Sequence, residues 1–256
     1  LDRVDEHGVT LADAMADAGV DPAGLRDAPQ WLDKLRGFLE LHVDQTRDVA
    51  SGHSAAGVVT RLAARLRLQV ELGGRADHAG TTPREERHDA LAAAARIIVR
   101  ADSDAAQRLG MVFTTGRLEV EPNAPTTVPS RVRMWLDARA PDPETVESWR
   151  DAVTAEAERV AEEAGVTLEL RTAAWSPGTE FPDDVRDALR IGLPPPKQRI
   201  VCYAGHDAGV IAAARPAGMV LVRNETGISH SPEEDVTLED AAVAANALLT
   251  AVEKLA

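Results

Sequence analysis

The chain has a single cysteine, and this scarcity excludes one class of protein. Cys202 has no second thiol to pair with, so no disulfide can form within the chain. Disulfide-dependent folds belong to secreted proteins, whereas a lone thiol suits the reducing cytoplasm. We therefore expect a cytoplasmic protein in which Cys202, inside the apolar run 200–203, is a small buried residue rather than a nucleophile.

Long apolar runs and clustered cations are also missing. No stretch approaches the roughly 18 apolar residues of a membrane span. The chain has 28 Lys and Arg against 42 Asp and Glu, a formal net charge of -14, whereas phosphate binding needs clustered cations. We therefore expect neither nucleic acid nor a membrane as partner. No charged-then-apolar leader opens the chain, and because it starts at Leu1 on a turn-like segment we expect that an N-terminal portion is lacking.

The apolar content is sufficient for one large or two ordinary domains, since 44% of the 256 residues are hydrophobic. Between 62 and 172 the periodicity gives the order β-α-β-β-α-β, the split ferredoxin-like arrangement of an antiparallel sheet covered by two helices. The flanking parts, 1–61 and 173–256, alternate strands with helices, which is typical of a mostly parallel sheet. The sequence therefore predicts an α/β domain interrupted by an inserted α+β domain. One helix is predicted to begin at Thr10, and the other predicted helices cover 28–36, 84–101, 143–164, 182–191, 206–214 and 238–255. The predicted strands cover 38–43, 65–72, 111–120, 131–138, 166–170, 199–203 and 219–222. Residues 46–56 are predicted to form a loop.

Two histidines follow apolar, strand-like runs near opposite ends of the chain. Strand alternation puts Glu40, His42 and Asp44 on one face, and His230 stands in a turn-forming segment, 227–234. Neutral imidazole is a common zinc ligand, and catalytic zinc sites draw their ligands from several strand ends. The pattern predicts a metal site held by His42 and His230. A solvated strand face and a structural histidine are the alternatives.

Small residues flank His78, which allows a ligand or a second surface to approach it closely. A helix is predicted directly after this segment. Thr82 is predicted to cap that helix, and Arg87 and Asp89 are predicted to form ion pairs on its first turns.

Arg139 and the turn at Gly205 are candidates for holding an anion. A guanidinium at a strand end can hold a carboxylate through two parallel hydrogen bonds, and an Asp137–Arg139 surface pair is the alternative. Gly205 leads a strand into a helix whose free N–H groups favour an anionic group, unless Asp207 simply caps that helix.

All of these segments, in this order and spacing, resemble the dinuclear-zinc amidohydrolases that include allantoate amidohydrolase and N-carbamoyl-L-amino-acid hydrolase, within the aminoacylase and carboxypeptidase-like metallopeptidase superfamily. The resemblance covers the chain from about Asp5 to Leu255. It implies a catalytic domain (1–61 and 173–256) with two zinc ions, manganese being possible, and an inserted lid domain (62–172) that forms a homodimer. It also implies hydrolysis of a linear amide or ureido C–N bond in a small carboxylate-bearing substrate, such as allantoate or an N-carbamoyl-L-amino acid.

The resemblance further implies roles for individual residues. His42 would ligate one metal and His230 the other. His78 would reach across the dimer and stabilise the developing oxyanion as the catalytic residue. The residues implied to hold the substrate are Gln45, His78, Asn123, Thr126, Arg139, Gly205 and His206.

The chain departs from the family pattern at several positions. The family's N-terminal segment, which supplies the other metal ligands and the general-base Glu, has no counterpart in this sequence. Asp44 stands in place of a Glu, Thr46 in place of a Gly, and Thr126 in place of an Asn, although Asn123 lies three residues earlier. For these 256 residues alone we expect weak metal binding and no hydrolysis. The alternative functions are a non-catalytic dimerisation or partner-binding module and a carboxylate binder without chemistry.

Overall fold

The computed structural model describes residues 1–5, 7–26 and 29–256, which contain two larger β-sheets and one small one. The strands are β1 (Phe38–Val43), β2 (Ala56–Leu62), β3 (Ala64–Gly73), β4 (Asp77–His78), β5 (Val112–Glu121), β6 (Thr127–Val128), β7 (Arg131–Ala140), β8 (Thr167–Ser176), β9 (Thr179–Glu180), β10 (Arg199–Cys202) and β11 (Ala217–Val222). The α-helices are α1 (Leu11–Asp17), α2 (Pro29–Leu32), α3 (Asp48–Ser51), α4 (Ala90–Ala105), α5 (Pro143–Ala164), α6 (Asp183–Ile191), α7 (Asp207–Ile211) and α8 (Leu238–Leu255). The predicted helix over 28–36 starts outside the described residues, and α2 covers only part of the remainder. No helix in the described ranges is long and apolar enough to cross a membrane.

The first sheet is mixed, with the strand order β1-β11-β2-β10 and β9 beside β2. β1 and β11 run parallel, as do β2 and β10, but β2 runs antiparallel to β11 and β9. The prediction of a mostly parallel sheet is therefore wrong, because the sequence did not indicate β2, which runs antiparallel to β11. Its residues are almost all buried, and a strand buried on both faces lacks the alternation that identifies a half-buried strand. The predicted loop over 46–56 also contains the one-turn helix α3.

The second sheet is entirely antiparallel, in the order β5-β7-β3-β8. Apart from the two-residue strands β4 and β6, its elements follow the predicted order, β3-α4-β5-β7-α5-β8. Buried and less buried residues alternate along β3 and β7, and α4 and α5 pack on the buried face. Trp149 of α5 is fully buried there, and its indole Nε1 donates to the Ala101 carbonyl of α4 at 3.1 Å. This sheet and its two helices therefore have a hydrophobic core of their own.

Helix α5 has the bounds that were predicted, and its two ends show why. The Asp142 carboxylate accepts a hydrogen bond from the backbone N–H of Thr145 at 2.8 Å, which satisfies one of the free donors at the start of the helix. Gly165 follows the last helical residue with φ 62°, the left-handed conformation that ends many helices and costs glycine no strain.

The start of α4 differs from the prediction. The helix begins at Ala90, and the Asp89 carboxylate accepts hydrogen bonds from the N–H groups of Leu91 (3.0 Å) and Ala92 (2.9 Å). Residues 84–86 form a 3-10 turn, and Arg87 donates instead to the carbonyls of Ala79 and Thr82. The predicted cap at Thr82 and the helix-surface roles of Arg87 and Asp89 are therefore wrong. Two capping signals lie seven residues apart, and local pattern alone cannot choose between them.

Both faces of the mixed sheet are covered, and one of them contains the candidate site. Helices α6 and α8 pack on the first face around Val58 and Val220. On the second face, Ala208 of α7 and Val49 of α3 pack with Met219, and Phe38 of β1 lies against this cluster. Because side chains alternate along a strand, Glu40 and His42 point to the same face as Phe38.

Replacing Asp89 with alanine tests which residue caps α4. We expect Asp89→Ala to lower the free energy of unfolding by about 1 kcal/mol, because two N–H groups lose their acceptor. The matched control, Thr82→Ala, should change it by less than about 0.5 kcal/mol. Urea unfolding followed by circular dichroism measures both, and a larger loss for Thr82→Ala would contradict the assignment.

Candidate active site

A set of hydrogen-bonded polar residues connects β1 to the start of α7. Glu40 accepts a hydrogen bond from His206 Nδ1 at 3.1 Å with one carboxylate oxygen and from the Ala208 N–H at 2.7 Å with the other. The His206 ring meets the His42 ring edge-on, with 4.6 Å between centroids. The structure therefore places His206 beside His42, although 164 positions of sequence separate them, and adds Glu40, to which the sequence assigned no role.

His206 is buried and only partly satisfied. Its side chain is 4% exposed, and its Nε2 has no hydrogen-bond partner among the described residues. Burial lowers the pKa of His206 and the neighbouring His42 imidazole lowers it further, while Glu40 acts in the opposite direction without restoring the usual value. At neutral pH the ring is therefore uncharged, with one nitrogen available as an acceptor.

The start of α7 does not offer the free anion site that was predicted. The N–H of Ala208 already donates to Glu40. Asp207 is the first helical residue rather than the cap, and the residue before it, His206, makes no side-chain capping bond. Gly205 has no positive φ, and a Cβ there would lie 3.6 Å from Arg65 Nη1, an ordinary contact. The predicted cluster of free N–H groups is therefore reduced, because Ala208 donates to Glu40 and Gly209 to the His206 carbonyl.

His42 has its Nδ1 2.8 Å from the carbonyl oxygen of Val43. In the neutral ring this contact puts the proton on Nδ1, which donates to the carbonyl and leaves Nε2 as an acceptor. Metal-binding histidines are commonly held in this way, because the second partner fixes both the tautomer and the orientation of the ring. The chemistry of His42 therefore fits a metal ligand.

Asp44 and Thr46, positions at which the resemblance implied a Glu and a Gly, contact each other. Asp44 is fully buried, and one carboxylate oxygen accepts from the Thr46 N–H (2.9 Å) and hydroxyl (2.7 Å). The other oxygen accepts from the Val49 N–H at 2.9 Å. These three donors satisfy the hydrogen-bonding capacity that a buried carboxylate requires. Asp44 therefore shapes the turn after β1.

A cavity of about 460 Å³ lies where the two larger sheets meet. Three of the residues implied to hold substrate line it: Gln45 after β1, Arg139 at the end of β7 and His206 before α7. Tyr203 and Phe113 add an aromatic wall. The structure thus brings these three residues to one concave surface, which is where small-molecule sites are generally found.

Arg139 is engaged on two sides. Its Nε and Nη2 donate to the two carboxylate oxygens of Asp137, at 2.7 and 3.3 Å, so the alternative of an Asp137–Arg139 pair is present. Its Nη1 donates to the carbonyl of Tyr203 at 2.6 Å, and the Tyr203 hydroxyl donates to the carbonyl of Gly110 at 2.5 Å. These bonds connect the antiparallel sheet to the segment between β10 and α7, a connection that the sequence did not indicate.

His78, Asn123 and Thr126 all lie outside this cavity, and the segments that contain His78 and Thr126 are paired with each other. Strand β4 pairs with β6 so that His78 faces Thr127, and the Ala79 N–H donates to the carbonyl of Thr126 at 2.9 Å. His78 Nδ1 accepts from the N–H groups of Gly80 (3.0 Å) and Thr81 (3.2 Å), so Nε2 of the neutral ring carries the proton. All three residues are exposed, and Asn123 has a left-handed backbone with φ 55°.

His230 lies in a tightly built loop after β11. Its side chain is exposed, its φ is 58°, and its N–H donates to Glu234 at 2.8 Å. The buried Asn224 organises the loop: its amide donates to the Ile228 carbonyl, and its oxygen accepts from Thr226 and Gly227. Gly227 lies against the backbone of Thr46, so this loop reaches the turn that follows β1. The described ranges contain no group of three or more His, Cys, Asp or Glu that could hold a metal ion.

Comparisons with known proteins identify the family. The model of peptidase family M20/M25/M40 matches residues 12–254. The chain belongs to this family. It is 34% identical over 261 residues to an N-carbamoyl-L-amino acid amidohydrolase of Geobacillus stearothermophilus, covering 100% of this chain and 63% of that protein. It is 29% identical to an allantoate amidohydrolase of Bacillus subtilis (strain 168), covering 98% of this chain and 62% of the relative.

Solved structures of the family agree with this assignment. AtUAH in complex with (S)-hydroxyglycine superimposes with a TM-score of 0.86 at 27% identity, covering 98% of this chain and 62% of that one. A hydantoinase/carbamoylase-family amidase from Burkholderia vietnamiensis has a TM-score of 0.86 at 29% identity, covering 100% and 61%. The resemblance seen in the sequence is thus confirmed. The chain spans about three fifths of the length of these relatives.

Replacing Asp137 with asparagine tests the ion pairs at the cavity. Burial raises the pKa of Asp137, but hydrogen bonds from Arg139 and Arg67 outweigh it and hold the pKa below its ordinary value of 3.8. The charged form therefore stabilises the fold above that value, and the gain is lost as the pH falls through the lower, folded-state pKa. We expect Asp137→Asn to cost about 1–3 kcal/mol at neutral pH and much less in strong acid.

Urea unfolding of both proteins from neutral pH into strong acid, well below the ordinary pKa of Asp137, measures this difference. Asp151→Asn is the control, because Asp151 pairs with Arg150 at the surface and is 69% exposed. A difference between Asp137→Asn and the unmodified protein that does not change with pH would contradict the pairing.

Proposed function

We propose that the protein is a metal-dependent amidohydrolase that cleaves a linear amide or ureido C–N bond in a small substrate bearing a carboxylate, such as allantoate or an N-carbamoyl-L-amino acid. The observation that carries this proposal is the cavity of about 460 Å³ lined by Gln45, Arg139 and His206. These residues come from three distant parts of a chain whose relatives are named for this chemistry. In the proposal, 1–61 and 173–256 form the catalytic domain and 62–172 the inserted lid.

Arg139 is the proposed partner of the substrate carboxylate. A guanidinium has five N–H donors, and three of those of Arg139 are occupied by Asp137 and Tyr203. The remaining two can form the bidentate pair that carboxylates favour. Gln45 and His206 line the same cavity and are proposed to hold the amide or ureido group.

Zinc is the proposed metal, as two ions, with manganese as the alternative. His42 is proposed to hold one ion through its free Nε2, which the hydrogen bond from Nδ1 to Val43 leaves as an acceptor. His230 is proposed to hold the other from the loop that reaches Thr46. When bound, such metals lower the pKa of a coordinated water and so supply the nucleophile. Two imidazoles do not complete a catalytic zinc site, so these 256 residues alone are expected to bind metal weakly and not to hydrolyse.

His78 is proposed to serve the site of a second subunit in a homodimer formed through 62–172. Its Nδ1 accepts two backbone hydrogen bonds, so Nε2–H is a donor of the kind that stabilises a developing oxyanion. Its exposure, together with that of Asn123 and Thr126, supports a role outside the cavity of its own chain.

The cytoplasm is the proposed location. Burial raises the pKa of Cys202 to about 11, so its thiol is almost entirely protonated at neutral pH. A buried, unreactive single thiol supports a reducing compartment.

Turnover by the full-length protein tests the proposed function. With added zinc or manganese, we expect hydrolysis of allantoate or of N-carbamoyl-L-amino acids. Arg139→Ala should lower kcat/KM for these substrates about 10- to 100-fold, because a hydrogen-bonded charge loses its partner. The measurement is the initial rate of product release as a function of substrate concentration.

Arg67→Ala is the matched control. Arg67 donates to the same Asp137 carboxylate at 2.7 Å but does not line the cavity. The substitution should therefore change the free energy of unfolding without weakening substrate binding. An absence of turnover on every ureido and acyl amide substrate would refute the function, and equal losses in the two variants would refute the role of Arg139.

A further inference from the structure

We infer that Glu40 is a positioning residue that sets the tautomer of His206 and, through the contact between the two rings, the orientation of His42. This inference rests on the proposed function, because His42 is the metal ligand assigned there. Glu40 lies two positions before His42 on the same face of β1, and none of the roles derived above involves it.

The first step is the arrangement of donors around Glu40. A carboxylate can only accept hydrogen bonds, and Glu40 has one partner on each oxygen: the Ala208 N–H at 2.7 Å and His206 Nδ1 at 3.1 Å. The backbone N–H can only donate, so one oxygen is committed to it. The other oxygen requires a proton on Nδ1. The neutral His206 ring therefore carries its proton on Nδ1 and has a free electron pair on Nε2.

The second step concerns that free electron pair. His206 is 4% exposed, and its Nε2 is buried without a partner among the described residues. Buried acceptors are normally satisfied, and one left unsatisfied destabilises the fold, so each exception requires an explanation. The opposite tautomer would not avoid this cost, because it would leave an unpaired N–H at Nε2 and turn the lone pair of Nδ1 towards the Glu40 carboxylate.

The third step links His206 to His42. The rings meet edge-on at 4.6 Å between centroids. His42 is held at Nδ1 by the Val43 carbonyl, and His206 is held at Nδ1 by Glu40. Both imidazoles are thus fixed from the Nδ1 side and have an unprotonated Nε2, the condition in which an imidazole binds a metal. The Glu40–His206 pair packs against His42 and restricts rotation of its ring.

Glu40→Gln separates this role from simple packing, because glutamine has nearly the same shape. Its single amide oxygen is required by the Ala208 N–H, so its NH₂ group faces His206 Nδ1 and can only donate. We therefore expect the proton of His206 to move from Nδ1 to Nε2. A side chain that served only to fill space would leave the tautomer unchanged.

The experiment uses full-length, ¹⁵N-labelled, metal-free protein at about pH 8, where an unperturbed imidazole is neutral. Long-range ¹H–¹⁵N spectra report which ring nitrogen carries the proton. We expect Nδ1–H for His206 in the unmodified protein and Nε2–H in Glu40→Gln. Titration of the same samples with Zn²⁺ should show an affinity reduced about 10- to 100-fold in Glu40→Gln. Glu71→Gln, which alters a carboxylate paired with Arg131 in the other sheet, should change neither result.

The outcomes separate the two proposals. Nε2–H for His206 in the unmodified protein overturns the positioning role without any variant, so the test does not depend on Glu40→Gln folding. A changed tautomer with unchanged zinc affinity overturns the link to His42. If His42→Ala binds zinc as tightly as the unmodified protein, the metal assignment of the proposed function fails, whereas the tautomer result still decides the role of Glu40 towards His206.

Discussion

The cleft between the two larger sheets depends on the hydrogen bonds of the Arg139 guanidinium. Arg139 donates to Asp137 in its own strand, β7, and to the carbonyl of Tyr203, which lies between β10 and α7. The Tyr203 hydroxyl in turn donates to the carbonyl of Gly110. A further bond, from Arg61 Nη1 to the Pro141 carbonyl at 3.1 Å, lies nearby. Each sheet has its own hydrophobic core. These polar contacts therefore bridge two sheets that each pack around a separate core.

Each polar side chain of the site is held in place by a hydrogen bond to a second group. Glu40 holds His206, the Val43 carbonyl holds His42, and Thr46 holds Asp44. The last pair also stabilises the turn after β1, because the Asp44 carboxylate accepts hydrogen bonds from both the N–H and the hydroxyl of Thr46.

The sequence predicted most reliably those elements that have one buried and one solvent-exposed face. β3, β7 and α5 show clear periodicity, and their structures follow it. β2 was missed because both of its faces are buried and no alternation remains. The start of α4 was misplaced because Thr82 and Asp89 offer competing caps. The Glu40–His206 pair spans 166 positions, and no local pattern indicates which distant donor a carboxylate will meet. His78 pairs with Thr127 through strands of only two residues, which are too short for any period to identify.

The central claim is that the cleft beside Arg139 is the reaction site of a metal-dependent hydrolase and that His42 is one of its ligands. Crystals of the full-length protein grown with zinc, measured on both sides of the zinc absorption edge, test this claim most directly. The account predicts an anomalous peak about 2.0–2.1 Å from Nε2 of His42, the usual zinc–imidazole distance, at the cavity that Arg139 and His206 line. Zinc bound only at sites remote from His42, or an Nε2 of His42 that faces protein atoms instead of metal, would contradict it.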